Sequence, residues 1–168
     1  MPDQLMAGCY PGATDRGEAH DRLDRILACN IRHFIDLMEP DELDFNARPF
    51  DPYVFQAANI AMKLGVEVSF DRFGIKDTWV PSRIEMGRIL DRIDSNIVQS
   101  KPVYLHCWGG RGRTGTVVGC YLARHGLAQG QQILKHIAEL RKNTADAHRA
   151  SPETAQQVDM VLSWVEGE

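Results

Sequence analysis

Ten consecutive positions, HCWGGRGRTG (106–115), bring together a thiol, an imidazole, two guanidiniums, a hydroxyl and four glycines. Residues of these types at this density can do three kinds of chemistry. A glycine-rich loop can cradle the phosphates of a nucleotide, His106 and Cys107 can ligate a metal, or Cys107 can act as a nucleophile. The stretch follows a short apolar run, PVYLH (102–106), and leads into a helical pattern from about 113.

The nucleotide reading starts from Gly110-x-Gly112-x-x-Gly115, which fits GxGxxG between a strand and a helix. That fingerprint also needs an acidic residue about 20 positions on, at the end of the next strand. The corresponding segment, AQGQQILKHI, is helical in pattern and carries no acid. The phosphate-loop pattern GxxxxGK(S/T) fails as well, because no Lys precedes Thr114. Metal binding is disfavoured by geometry: adjacent residues at a strand end point to opposite sides and make a poor chelating pair. His20, His33, His125, His136 and His148 are scattered without ligand spacing and read as surface or satisfied polar residues.

A nucleophile fits the pattern better. A Cys on a loop that turns into a helix faces backbone N–H groups and the positive end of the helix dipole, and both stabilise a thiolate. Arg113, six residues after Cys107, can fold back and hold an anion in a two-pronged grip. Glycines at 109, 110, 112 and 115 let the intervening N–H groups converge. The plain alternative is a buried Cys packed as a small hydrophobe in a Gly-rich turn.

The elements around the stretch determine where it sits. Residues 15–29 place Ala19, Leu23, Ile26 and Leu27 at helical spacing behind Thr14 or Asp15 as a cap. IRHFIDL (31–37) alternates as a strand, a Pro- and Asp-rich loop follows, and a helix is predicted from about Pro52 to Leu64. VEVSF (66–70) reads as a second strand and DRFGIKDTWVPS (71–82) as a loop. SRIEMGRILDRIDSNIVQS (82–100) is an amphipathic helix with Ser82 as N-cap, and PVYLH is a third strand, unbroken as in a sheet covered on both faces. Further helices are predicted at about 113–125, 129–141 and 152–165, the last with Pro152 at its first position after a Ser151 cap. Strands alternating with helices give an α/β domain with a mostly parallel sheet flanked by helices. Such sheets bind ligands beyond the carboxyl ends of their strands, which is where HCWGGRGRTG falls.

The 168 residues, 43% of them apolar and 25% charged, imply one domain over residues 1–168 with an ordinary core. A net charge of −4 argues against a nucleic-acid or membrane-surface binder. No window approaches the ~18 apolar residues of a membrane span, and MPDQLMAGCYPGATD lacks the apolar run of a signal peptide. Cys9, Cys29, Cys107 and Cys120 lie far apart without a CxxC, the usage of reduced thiols in a cytoplasmic protein.

HCWGGRGRTG resembles the HCxxGxxR(S/T)G signature of the cysteine-dependent protein tyrosine and dual-specificity phosphatases at every fixed position. MAGCYPG (6–12), IRHFIDLMEPDEL (31–43) and SPETAQQ (151–157) extend the likeness, which is greatest to small bacterial dual-specificity-like members. The resemblance implies a dual-specificity phosphatase-like fold and phosphomonoester hydrolysis through a thiophosphate on Cys107. It implies that Arg113 and the N–H groups of Trp108, Gly109, Gly110, Arg111, Gly112 and Arg113 hold the phosphoryl oxygens. It gives Thr114 the hydroxyl that bonds the sulfur, and His106 a role in orienting the loop, unless His106 is only a satisfied strand-end residue.

A general acid must protonate the leaving oxygen. The residues alone leave Asp71 and Asp77 open, since both lie in the predicted loop 71–82. The resemblance places the acid in a loop ending near a Pro, which selects Asp77 in IKDTWVPS, 30 positions before Cys107. By the same likeness Gln157 places the hydrolytic water; otherwise it is a surface amide on a helix. Arg111 is either an added cation for inositol phosphates or phosphoinositides or a solvent-facing loop residue, and Trp108 is a rim contact or a packing residue. A shallow pocket tolerant of several phosphoesters is expected. Phosphotyrosine, phosphoserine and phosphothreonine in proteins are the default substrates, inositol phosphates or phosphoinositides the alternative, and a catalytically silent phosphate-binding module the reading from another class. No metal or organic cofactor is implied, because thiolate, Arg and Asp suffice.

Overall fold

The computed structural model describes residues 4–168. Four short strands form one sheet in the order β1 (Leu5–Gly8), β4 (Val103–His106), β2 (His33–Asp36), β3 (Ser69–Arg72). Every pairing is parallel, and β4 lies inside the sheet with partners on both sides. All four residues of β2 and all four of β4 are buried, His33, Asp36 and His106 among them as enclosed polar side chains.

Side-chain alternation along β2 and β4 separates two layers. Phe34 and Tyr104 face one side, where they pack with Leu23, Ile26 and Leu27 of α1 (Arg16–Ala28) and Ala57, Ile60 and Ala61 of α2 (Val54–Lys63). Ile35, Val103 and Leu105 face the other side and meet α3 (Arg83–Val98), α4 (Gly112–Arg124), α5 (Gln131–Arg141) and α6 (Ala155–Ser163). Caps fix the helix starts. Asp15 accepts from the Glu18 N–H at 2.8 Å, and Ser82 forms a reciprocal capping box with Glu85. No helix among the described residues is long and apolar enough to cross a membrane.

The predicted α/β architecture is present, with three differences. Leu5–Gly8 forms a fourth strand, which four residues without alternation did not announce. The strand predicted at 66–70 lies at Ser69–Arg72, because Gly65 and Val66 still close the end of α2, the Val66 N–H donating to the Ala61 carbonyl at 3.0 Å. Asp71 is therefore a strand residue rather than a loop residue. The last helix begins at Ala155 instead of 152, because Thr154, not Ser151, caps it and accepts from the Gln157 N–H at 3.3 Å.

The helix after the β4 loop is the most enclosed of the six. Eleven of its thirteen residues are buried, and small residues let α6 approach closely. A Cβ on Gly119 would stand 2.6 Å from Val161 Cγ2 and 2.7 Å from Cγ1. Gly119→Ala should therefore force α4 and α6 apart and destabilise the fold by about 1–3 kcal/mol, measured as a lowered urea midpoint; an unchanged midpoint would show that the contact yields freely.

Candidate active site

Cys107, the first residue after β4, and Arg113 in the first turn of α4 bracket the loop at the carboxyl end of the sheet. Parallel strands deliver their following loops to the same edge, so the segments after β2 and β3 meet this loop. Cys107 is 3% exposed and belongs to the core layer of α3–α6, while His106 points into the layer of α1 and α2.

Arg113 is buried and carries four contacts on its two terminal nitrogens. Nη1 donates to Glu42 Oε2 at 2.5 Å and to the Ile75 carbonyl at 3.0 Å. Nη2 donates to Glu42 Oε1 at 2.8 Å and lies 2.9 Å from Asp77 Oδ1. Burial works against the charge, but the Glu42 hydrogen bonds and the charges of Cys107, Glu42 and Asp77 outweigh it and raise the Arg113 pKa above its ordinary value. Its Nε–H is buried without a partner. The Thr114 hydroxyl is likewise buried and unpartnered.

His106 is fully buried. Its Nε2 is 2.7 Å from the Tyr53 hydroxyl and its Nδ1 is 3.3 Å from the Cys107 carbonyl. A carbonyl only accepts, so Nδ1 carries the proton and Nε2 accepts from Tyr53. Burial lowers the His106 pKa to about 4 against the opposing pull of Asp36, so the ring is neutral near pH 7. Burial also pushes the Tyr53 hydroxyl upward, keeping its proton in place for His106. The rings of Tyr10 and Tyr53 pack edge-on against the imidazole at 5.7 and 5.3 Å.

Gly110 has φ +69°, and a Cβ there would fall 2.4 Å from the Gly8 carbonyl carbon, so the loop crosses directly over the end of β1. The Trp108 carbonyl accepts from the Tyr10 N–H at 2.8 Å, and its ring packs on Phe45 and Phe50 at 4.2 and 5.3 Å. Packing and rim exposure coincide here, because Phe45 is itself 93% exposed. Arg111 is paired with Glu153, and its carbonyl accepts from Ser151 Oγ at 2.8 Å. It is a tethered residue rather than a free solvent-facing one.

Of the two candidate acids, Asp77 reaches Arg113. Asp71 is held on β3 by His33 Nε2 at 3.0 Å and Arg92 Nε at 3.2 Å. Gln157 is buried, contrary to a surface amide, and its Oε1 accepts from the N–H groups of Glu153 and Thr154 at 3.0 and 3.2 Å. All four cysteines are free thiols; Cys120 is buried, which pushes its thiol up, and Cys9 and Cys29 are exposed. No group of three His, Cys, Asp or Glu side chains among the described residues could hold a metal.

Two residues of the site escape the sequence reading. Glu42 lies 71 positions from Arg113, and Tyr53 lies 53 from His106. The one available signal for Glu42 is an acidic, Pro-containing loop after a strand whose carboxyl end faces the ligand edge.

The buried neutral His106 has a consequence for stability. An unfolded His titrates near 6.5, so between about pH 6.5 and 4 the unfolded chain holds a proton at this position that the folded chain refuses. Stability is therefore lost as pH falls through that window, by up to about 1.4 kcal/mol per pH unit from this group. His33, whose pKa burial also lowers, acts in the same direction. His106→Gln should reduce the pH slope of the urea-unfolding free energy between pH 6.5 and 4.5; an identical slope in both proteins would rule out a buried neutral His106.

The family model for the Swiss Army Knife protein DSP-PTPase phosphatase domain matches residues 9–161. Protein tyrosine phosphatase domain-containing protein 1 of Danio rerio is 25% identical over 146 residues, covering 86% of this chain and 20% of that protein. Phosphatidylglycerophosphate phosphatase PTPMT2 of Arabidopsis thaliana is 33% identical over 63 residues, covering 38% of this chain and 28% of that protein. The chain thus spans less than a third of the length of either curated relative. Among solved structures, the active form of Tk-PTP is similar with TM-score 0.57 and 26% identity, covering 84% of this chain and 82% of that one. PTPMT1 in complex with PI(5)P shares the fold with TM-score 0.65 and 20% identity, covering 96% and 90%. Matched across nearly all of its length, the chain belongs to the Swiss Army Knife DSP-PTPase phosphatase domain family and is an enzyme of the cysteine-dependent phosphatase class.

Proposed function

We propose that the chain hydrolyses phosphomonoesters through a covalent phosphate on Cys107, with Arg113 as the phosphate clamp and Asp77 as the general acid. The carrying observation is the unequal occupation of the Arg113 guanidinium. Glu42 takes one edge with two hydrogen bonds, while the neighbouring edge offers the unspent Nε–H and an Nη2–H that meets Asp77. Glu42 is 10% exposed on its side chain and Asp77 55%. The exposed acid can leave, and the buried one stays.

A phosphate entering over Cys107 replaces Asp77 on Nη2 and takes Nε–H as well, a bidentate fork of the kind guanidinium offers to phosphate. The N–H groups of residues 108–113 receive the remaining oxygens at the head of α4, where the helix dipole favours negative charge. Asp77, which takes up a proton from solvent once phosphate displaces it from Arg113, is then the general acid: Cys107 Sγ attacks phosphorus, the ester P–O bond breaks, and Asp77 gives that proton to the leaving oxygen. Water attacks the phosphocysteine in the second step and gives its proton to the Asp77 carboxylate left by the first, while the P–S bond breaks and the thiolate departs toward the Thr114 hydroxyl, whose hydrogen-bonding capacity is unspent. His106 holds the Cys107 carbonyl and, being neutral, adds no charge beneath the loop.

Protein phosphotyrosine, phosphoserine and phosphothreonine are the proposed substrates. The aromatic rim of Phe45 and Trp108 beside the loop suits a peptide or aryl phosphoester. Arg111, the cation that would favour a polyphosphorylated ring, is engaged by Glu153. A lipid or inositol phosphate is the second reading, favoured by the Arabidopsis relative's name as a phosphatidylglycerophosphate phosphatase.

Cys107→Ser should abolish hydrolysis of p-nitrophenyl phosphate, and activity equal to wild type would overturn the nucleophile. Asp77→Asn should lower kcat/KM for phenyl phosphate, a poor leaving group, by roughly 10²–10⁴-fold, with a much smaller loss on p-nitrophenyl phosphate. Undiminished activity on both would remove Asp77 from the mechanism. Parallel rates on phosphotyrosine and phosphothreonine peptides, inositol phosphates and phosphatidylglycerophosphate decide the substrate class.

A further inference from the structure

The segment carrying Asp77 has little support of its own. Beyond the Ile75 N–H, which donates to the Leu37 carbonyl at 3.0 Å, its internal backbone bond is a turn from the Trp79 N–H to the Lys76 carbonyl at 3.0 Å. Thr78 has φ +66°, a left-handed conformation that a β-branched residue adopts only when its surroundings impose it. Those surroundings are the start of α6. Thr154 Oγ1 donates to the Thr78 carbonyl at 3.2 Å, and Gln157 Nε2 donates to the Trp79 carbonyl at 3.2 Å.

Gln157 is fully buried and links three segments at once. Its Oε1 closes the capping box on the N–H groups of Glu153 and Thr154. Its amide also lies against the first residue of α4, since a Cβ on Gly112 would be 3.1 Å from Oε1 and 3.2 Å from Nε2. The amide therefore stands between the head of the phosphate-binding helix and the carbonyl two residues beyond Asp77.

We infer that Gln157 is a positioning residue for Asp77, acting through the Trp79 carbonyl to hold the acid at the height of the leaving oxygen. The inference rests on Asp77 being the general acid. It assigns the effect of Gln157 to protonation of the leaving group, which is distinct from a role in placing water for the second step. A misplacement of about 1 Å in a catalytic group can cost about 10²-fold. A carbonyl anchor that relaxes can supply such a shift.

The test uses Gln157→Met, which keeps the side-chain volume and loses both the cap and the Trp79 bond, and Gln157→Glu, which keeps a capping acceptor and loses only the donor to Trp79. Thermal unfolding identifies a variant that does not fold, and the other then carries the measurement. The readout is kcat/KM across aryl phosphates of rising leaving-group pKa, together with stopped-flow separation of phosphoenzyme formation from its hydrolysis. The expected result is a steeper leaving-group dependence, with a loss of roughly 10–100-fold on phenyl phosphate and less than about threefold on p-nitrophenyl phosphate. Adding Asp77→Asn should then cause little further loss, because both changes remove one function.

A uniform loss on all esters, a loss that multiplies with that of Asp77→Asn, or slower phosphocysteine hydrolysis with an unchanged leaving-group slope would overturn the inference. The last result would mark Gln157 as a water-positioning residue. If Asp77→Asn alone leaves the slope unchanged, the acid assignment has failed and this inference fails with it. If Asp77→Asn steepens the slope and neither Gln157 variant does, only the positioning role is lost.

Discussion

The buried charge of Arg113 is the constraint from which the rest of the site follows. A guanidinium stays ionised in a protein, and an uncompensated ion in the interior costs on the order of several kcal/mol. The charge sits in the first turn of a helix whose other residues are almost all enclosed, so it cannot turn out to water. Anions and carbonyls must come to it instead. Glu42 from the loop after β2, and Ile75 and Asp77 from the loop after β3, supply them. The walls of the site are thus the counter-ions of its own cation, and two loops with little regular structure meet at one side chain.

Beneath that layer, the period-two alternation of β4 separates two tasks at adjacent residues. His106 enters an aromatic layer with Tyr10 and Tyr53, where burial keeps it neutral and its hydrogen bonds fix one tautomer. Cys107 turns to the opposite layer, close enough to Arg113 for their charges to interact. A protonated imidazole would have to lose its hydration in this buried layer, which accounts for a hydrogen-bonded neutral ring at this position. The carboxylate of Asp36, 3.8 Å from His106 Nδ1, is meanwhile absorbed by Arg72 and the Met38 N–H.

What was readable in the sequence is what is local. The Cys107–Arg113 spacing lies within one strand-loop-helix turn, so residue order alone fixes which groups share it. The long amphipathic helices follow from periodicity, and Ser82 and Asp15 cap as their types predict. Glu42 and Tyr53 were hidden because tertiary approach, not spacing, brings them to Arg113 and His106. Strand β1 was hidden because LMAG is short and carries no alternation; it is a strand by virtue of pairing with β4. The family likeness singles out Gln157, but its burial and its bond to Trp79 come only from the fold, and Pro152 suggested a helix start that Thr154 takes instead.

The unequal burial of the two carboxylates on Arg113 also bears on how binding and chemistry connect. Before substrate arrives, the guanidinium is neutralised by Glu42 and Asp77 together. A phosphate that replaces Asp77 brings its own charge, so the exchange swaps one anion contact for another and leaves Glu42 in place to keep the side chain oriented. The cost of desolvating the site has been met in folding and is not met again on binding. In the proposed mechanism, Asp77 once displaced has only a short path to travel, because its loop is fastened at Thr78 and Trp79 to the start of α6. On this reading, filling the phosphate site and freeing Asp77 are the same event, coupled through a single guanidinium.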